Sequence, residues 1–185
     1  QNVGLIKPVA KYLDELRSLA DRYGFLLIFD EVKTGFRHGF GGCAGLFGVA
    51  PDLAVYGKAI ASGYPLGVVA GKERWLRFFN HPDADRRVLL AGTYNAHPVP
   101  VAAAIATLEY LLSDAGVYSR MDSLGARMES GLMQILENHP RGIVIRQGSA
   151  FVVYFMDHSP RDWHDLTSHH NYGLDQKLRN ELLRR

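Results

Sequence analysis

Gly24-Phe25-Leu26-Leu27-Ile28-Phe29-Asp30-Glu31 is the stretch on which the fold turns. An unbroken apolar run from Phe25 to Phe29 has strand length rather than helix length, and it lacks the alternation of a strand with one wet face. It predicts a strand covered on both faces, the habit of parallel sheets. Immediately upstream, Val9, Tyr12, Leu13, Leu16, Leu19 and Ala20 recur at helical spacing between Pro8 and Gly24, predicting an amphipathic helix from about Pro8 to Tyr23. Helix followed by buried strand is half of a βαβ unit. The expected class is α/β, a mainly parallel sheet with flanking helices.

Downstream, six glycines between Thr34 and Gly48 erase any apolar period and predict a long loop. Short strands are expected at Leu53 to Tyr56 and Leu66 to Ala70, with the turn Gly57 to Pro65 between them. Helical signals return at Glu73 to Phe79. After Pro98 the segment Val99 to Leu112 is apolar on nearly every side, which predicts a buried helix. Val117, Met121, Leu124, Met128, Leu132 and Ile135 then mark a long amphipathic helix ending near Pro140. Two strand-like runs follow, Gly142 to Ile145 and Phe151 to Met156, then a histidine-rich polar stretch and a last helix from about Leu174. The expected division is one domain over residues 1–115, and over 116–185 a connecting helix with part of a smaller α+β domain.

Composition narrows the function. The 185 residues are 47% hydrophobic and 22% charged, a balance that excludes a disordered or collagen-like chain. A formal charge of +2 is too weak a field to argue for nucleic acid. The longest apolar run falls far short of the roughly 18 residues of a membrane span. The single cysteine, Cys43, cannot form an internal disulfide, so a reducing, cytoplasmic setting is the simpler expectation. QNVGLIKP at the start has neither an initiator Met nor a leader pattern and reads as a trimmed chain.

Asp30 and Glu31 close the apolar strand, placing two carboxylates at the carboxyl end where open α/β sheets bind ligands. An apolar strand ending in Asp-Glu also suits the magnesium strand of nucleotide hydrolases, which requires G-x-x-x-x-G-K-[ST]. Here Gly57-Lys58 is followed by Ala59, and Asp52 stands where the first glycine belongs. The phosphate cradle is missing. Lys58 falls at the end of the next candidate strand, so two adjacent parallel strands would bring its amine and the Asp30 carboxylate to one rim. Those are the two groups that pyridoxal phosphate chemistry requires.

LLIFDEVKTGFRHGFGG, APDLAVYGKAIASGYPLG and AGTYNAHPV, in that order, closely resemble the cofactor-binding half of class III aminotransferases. These are fold-type I pyridoxal phosphate enzymes and include glutamate semialdehyde aminomutase. The similarity runs from about Asn2, in NVGLIKP, through at least Tyr110. The resemblance implies part of the large domain of that fold plus an incomplete C-terminal small domain. It implies that Asp30 binds the pyridine nitrogen of pyridoxal 5'-phosphate, that Val32 packs on one face of the ring, and that Lys58 forms the Schiff base and carries the proton. It also implies that Thr93 reaches the phosphate of the neighbouring subunit, which makes the enzyme a homodimer with a shared active site. Substrates would be small amino acids, amines or keto acids, the reaction an amino-group transfer or an aminomutase shift.

Other candidates carry less. Cys43 in the glycine loop reads as a small packed thiol. Arg37 could anchor that loop or meet a substrate carboxylate. His158, His164, His169 and His170 are irregularly spaced with no nearby cysteine, so they read as polar surface and no metal site is expected. The chain departs from the resemblance at Ala61-Ser62-Gly63, where consecutive glycines are usual, and a serine takes most ordinary dihedrals. Members are more than twice as long, so the glycine and hydroxyl phosphate loop and the second ring-stacking residue are expected outside these 185 residues. The alternative reading is therefore a non-catalytic remnant that cannot retain the cofactor by itself.

Overall fold

The computed structural model describes residues 4–139 and 141–184. They form two compact units, one built from residues 9–117 and the other from 4–8 together with 118–184. The first contains helix α1 (Tyr12–Tyr23), strand β1 (Ile28–Asp30), helix α2 (Gly42–Phe47), strand β2 (Leu53–Tyr56), a 3₁₀ turn (Lys58–Ala61), strand β3 (Val68–Gly71), helix α3 (Glu73–Leu76) and helix α4 (Pro98–Ser113). The second contains helix α5, whose span is Val117–Leu136, the hairpin β4 (Ile143–Gln147) and β5 (Ala150–Tyr154), helix α6 (Trp163–His169) and helix α7 (Tyr172–Leu183). No single helix among the described residues is long and apolar enough to cross a membrane. The lead-in residues 2–3 and Pro140, the expected end of α5, lie outside the described residues.

In the first unit the sheet order is β1-β2-β3. β1 and β2 are parallel, with Ile28 opposite Leu53 and Asp30 opposite Val55. β3 is antiparallel to β2, Tyr56 facing Val68. A parallel return needs a crossover of a dozen or more residues, and residues 57–67 are too few, so β3 comes back as a hairpin arm. β1 is also shorter than the apolar run and less covered than expected. Ile28 is 52% exposed and Phe25 46%, because among the described residues it is Leu27 and Phe29 that pack with Ala20, Leu13 and Leu16 of α1.

α1 begins at Tyr12 rather than Pro8, since Lys11 adopts φ +66° and a left-handed residue breaks the helix. Gly24 ends it as expected, in the left-handed conformation with its N–H donated to Ala20. α4 forms where Pro98 opens it, with His97 Nδ1 accepting from Val99 N. It is not buried all round. Pro100 and Ala104 are buried, whereas Ile105, Tyr110 and Leu112 are exposed, because a single face meets the Lys58–Ala61 turn. α5 likewise presents Gly125 to the β4-β5 turn and leaves Leu124, Met128 and Ile135 exposed. An added Cβ at Gly125 would stand 2.3 Å from the Gly148 carbonyl oxygen, so only glycine permits this approach. The second unit has its own core of Tyr154, Met156 and Leu166, which Ile6 joins, and the Tyr154 hydroxyl donates to the Gly4 carbonyl at 2.6 Å.

Asp52 sets the amino-terminal end of the first sheet. Its side chain is 1% exposed, and it accepts from Arg17 Nη1 and Lys72 Nζ at 2.8 Å, Leu27 N at 3.0 Å and Arg74 Nη2 at 3.1 Å. Its backbone N–H donates to the Leu27 carbonyl at 2.8 Å. Burial opposes the charged form. The Lys72, Leu27, Arg17 and Arg74 donors outweigh it and hold the carboxyl far below the usual carboxylate range. A depressed folded pKa gives stability that is present above the unfolded value near 4 and is lost as pH falls. Asp52→Asn is expected to cost about 3 kcal/mol, as breaking a buried charge cluster does, and to flatten the acid limb of stability against pH. Urea unfolding of both proteins between pH 3 and pH 7 measures both effects; equal acid limbs would refute the assignment.

Candidate active site

The opposite end of the β1-β2 pair carries the candidate chemistry. Because the two strands are parallel and Asp30 lies beside Val55, residues just beyond each strand emerge on the same edge of the sheet. Asp30 ends β1 exposed, and its Oδ1 accepts from Val32 N at 3.0 Å. Its Oδ2 has no described hydrogen-bond partner. β1 stops at Asp30, so strand alternation does not reach Val32; this turn bond ties it to Asp30 instead. Val32 packs on the backbone before Lys58: a Cβ built on Gly57 would lie 3.4 Å from Val32 Cγ1 and 3.3 Å from the Leu66 carbonyl oxygen.

Lys58 opens the 3₁₀ turn at φ +49°, a conformation that ordinarily costs a non-glycine residue about 1–2 kcal/mol. Packing holds it there. Ile60 and Ala61, 4% and 0% exposed, form one cluster with Ala104 of α4, flanked by Phe36, Tyr56, Leu66, Val68 and Leu108. The Lys58 side chain is exposed, and among the described residues it has no ion-pair partner. Ser62 closes the turn at φ +49° as well, so it does not occupy an ordinary dihedral. Its hydroxyl shares a 2.9 Å hydrogen bond with the Thr107 hydroxyl of α4, which compensates a backbone better suited to glycine.

The two carboxylates of Asp30-Glu31 take separate parts. Glu31 is 1% exposed and points inward. It accepts from the Thr34 hydroxyl and from Ala44 N at 3.0 Å, while its own N–H donates to the Val55 carbonyl at 2.9 Å. Ala44 is in the first turn of α2, where backbone donors lack helical partners and a carboxylate is favoured. The glycine-rich segment is therefore not all loop. α2 forms within it on the Glu31 side chain, and Gly42, at φ +58°, leaves room for that carboxylate, since a Cβ there would stand 2.8 Å from Oε1. Burial pushes the half-buried Cys43 thiol up, which disfavours the thiolate and agrees with a packed thiol.

Thr93 stands in an exposed turn ahead of α4, and its side chain makes no described hydrogen bond. No described contact joins it to Asp30, Val32 or Lys58. The sequence did not single out Asp52 as a clamp or Glu31 as the support of α2. A carboxylate three residues ahead of Thr34, before a glycine run, is the local signal for the second. Nothing local signals the first, whose partners come from positions 17, 72 and 74.

Asp30 and Lys58 thus stand at the same ends of the parallel strands β1 and β2. The chain belongs to the family Aminotransferase class-III, whose profile matches residues 1–179. This family is pyridoxal-phosphate-dependent. Over 161 residues the chain is 42% identical to a glutamate-1-semialdehyde 2,1-aminomutase of Haloarcula marismortui, covering 86% of this chain and 35% of that protein. The same enzyme of Ignicoccus hospitalis is 39% identical over 184 residues, 100% of this chain and 42% of the relative. Among solved structures, an omega-transaminase from Sphaerobacter thermophilus superposes with a TM-score of 0.80 at 30% identity, covering 88% of this chain and 37% of that one. A transaminase with PLP bound gives 0.74 at 35% identity, covering 82% and 35%. The chain thus spans little more than a third of the length of these proteins.

Glu31→Ala is expected to lower stability by about 1–3 kcal/mol, because it leaves the Ala44 N–H and the Thr34 hydroxyl without their buried acceptor. Asp30→Asn, which keeps the acceptor for Val32 N at an exposed position, is expected to unfold with the wild-type midpoint. Chemical denaturation of the pair tests this division of labour, and a larger loss for Asp30→Asn would reverse it.

Proposed function

We propose that this chain supplies the lysine and carboxylate of a pyridoxal-phosphate-dependent aminotransferase or aminomutase. The observation that carries the reading is the parallel register of Asp30 on Val55, which sends Asp30 and Lys58 to the same end of the sheet. The residues present fit the cofactor. Asp30 keeps one carboxylate oxygen without a described partner, Lys58 presents an amine outside any described ion pair, and Val32 offers an apolar surface against Gly57.

Pyridoxal phosphate, when bound, supplies an electrophilic carbon and a ring that accepts electrons from the carbon losing its proton. Asp30 Oδ2 would hold the proton on the ring nitrogen, since a carboxylate favours the cationic partner. Val32 would pack on the ring face. Lys58 Nζ would hold the cofactor at rest and, once released, accept and return the substrate Cα proton. The strained backbone at Lys58 supports a functional role, because such conformations persist where surrounding structure over-determines them. Thr93, exposed on its turn, is proposed to meet the phosphate held by the second subunit of a homodimer. Substrates in this reading are small amino acids, amines or keto acids in a cytoplasmic setting, to which the lone free cysteine is suited.

Borohydride reduction of the 185-residue chain with stoichiometric pyridoxal phosphate, followed by peptide mapping, is expected to label Lys58 ahead of Lys7, Lys11, Lys33, Lys72 and Lys177. Asp30→Ala should keep that label while losing exchange of the substrate Cα proton with solvent. Uniform labelling of all six lysines would favour the alternative, a remnant that cannot retain the cofactor alone.

A further inference from the structure

The second unit gathers three donors that no part of the cofactor reading uses. His158 lies in the segment before α6, and Asp165 and His169 are on α6 four residues apart, a spacing that stacks side chains on one helix face. One donor atom from each lies within 4.8 Å of the others. His158 Nε2 and His169 Nδ1 both stand 3.0 Å from Asp165 Oδ1. We propose that His158, Asp165 and His169 bind a divalent transition-metal ion of the zinc type, with the remaining position open to water.

Two observations carry this. The first is a place made for a cation. The ring nitrogens of His158 both face carboxylates, Nδ1 at 2.6 Å from Asp157 Oδ1 and Nε2 at 3.0 Å from Asp165 Oδ1. A neutral imidazole has one N–H, so both contacts are met only when a cation, either a second ring proton or a metal ion, lies between Nε2 and Asp165 Oδ1. With Nδ1–H given to Asp157, a metal in place of the Nε2 proton makes Nε2 a ligand, and Asp157 becomes the outer carboxylate that commonly orients a metal-bound histidine; His169 Nδ1, now 2.9 Å from the Asp165 carbonyl oxygen, would exchange that contact for the ion. The second is a fixed anion. The Asp165 side chain is 5% exposed, its Oδ2 accepts from Arg161 N at 2.9 Å, and its N–H donates to the Asp162 side chain at 2.8 Å. Oδ1 therefore stays aimed at the two rings.

The spacing suits an ion. Ligands at about 2.0–2.2 Å from a tetrahedral metal stand about 3.3–3.6 Å from each other, a few tenths of an ångström beyond the two 3.0 Å separations to Asp165 Oδ1. Two imidazoles and a carboxylate are borderline ligands that zinc accepts with a fourth position free. Arg161, with Nε 3.6 Å from Asp165 Oδ2, is the competing cation; its side chain is 82% exposed and can swing aside. His164 and His170 are not members. His170 is buried, and its Nδ1 accepts from Phe155 N at 3.1 Å. Reading the four histidines as a group hid the set, because its third ligand is an aspartate.

Isothermal titration of the 185-residue chain with zinc chloride in a chelator-free buffer is expected to show one saturable equivalent. Affinity should fall at least about tenfold in His158→Gln/His169→Gln and stay unchanged in His164→Gln. Cobalt(II) should give visible absorption of four-coordinate intensity in the wild type and lose it in His169→Gln, an exposed substitution whose fold circular dichroism can verify. Absence of a saturable equivalent, or equal affinity in the folded double variant, would overturn the site. Neither outcome bears on Lys58, which belongs to the other unit.

Discussion

Asp52 is a carboxylate almost without water, and the first unit is arranged around keeping it charged. It draws one cation from α1 and two from the segment after β3, and it takes the N–H of Leu27 just ahead of β1. These four donors tie together elements that are far apart in sequence. β1 has three residues and β2 four, so their ladder alone gives a weak register. Desolvating such an anion is costly unless all of its lone pairs are met, and one misplaced partner would leave an uncompensated charge. The strands are thereby aligned residue by residue, and the alignment determines what appears at their other end.

At that other end, the same register separates two adjacent acids. Asp30 faces outward at the close of β1, while Glu31 turns in to carry the first turn of α2. One therefore keeps an oxygen without a partner among the described residues, and the other is consumed by structure. The turn after β2 follows a similar logic. Two left-handed residues, Lys58 and Ser62, bracket Ile60 and Ala61, whose burial against α4 holds the turn in place. Apolar packing sustains a backbone that local preference would reject.

Much of this was legible in the chain. The apolar run closing in Asp-Glu, the glycine-bearing lysine turn and Pro98 gave β1, the Lys58 turn and the start of α4, because each rests on local rules of burial and backbone freedom. What could not be read depends on distance along the chain. Asp52 finds Arg17, Lys72 and Arg74 through the tertiary fold, and no spacing announces them. Ser62 looked permissive as a residue type, yet its left-handed conformation and its bond to Thr107 are set by α4. The apolar residues of α4 and α5 identified both helices, but the burial expected of α4 on nearly every side is met on one face, since apolar character reports which face is greasy, not whether this chain covers it. Glu31 was visible as a residue, but whether it or Asp30 faced the solvent needed coordinates.

The clamp and the edge that carries Asp30 and Lys58 occupy opposite ends of the same pair of strands, three or four residues apart. The grip on the sheet and the groups at its far edge can therefore be adjusted by separate hands. Replacing Lys72 or Arg74, or improving their fit, alters how firmly the sheet is gripped without touching any group that would meet a substrate. An engineer, or selection acting over generations, could retune the thermal tolerance of such a scaffold while leaving Asp30 and Lys58 as they stand.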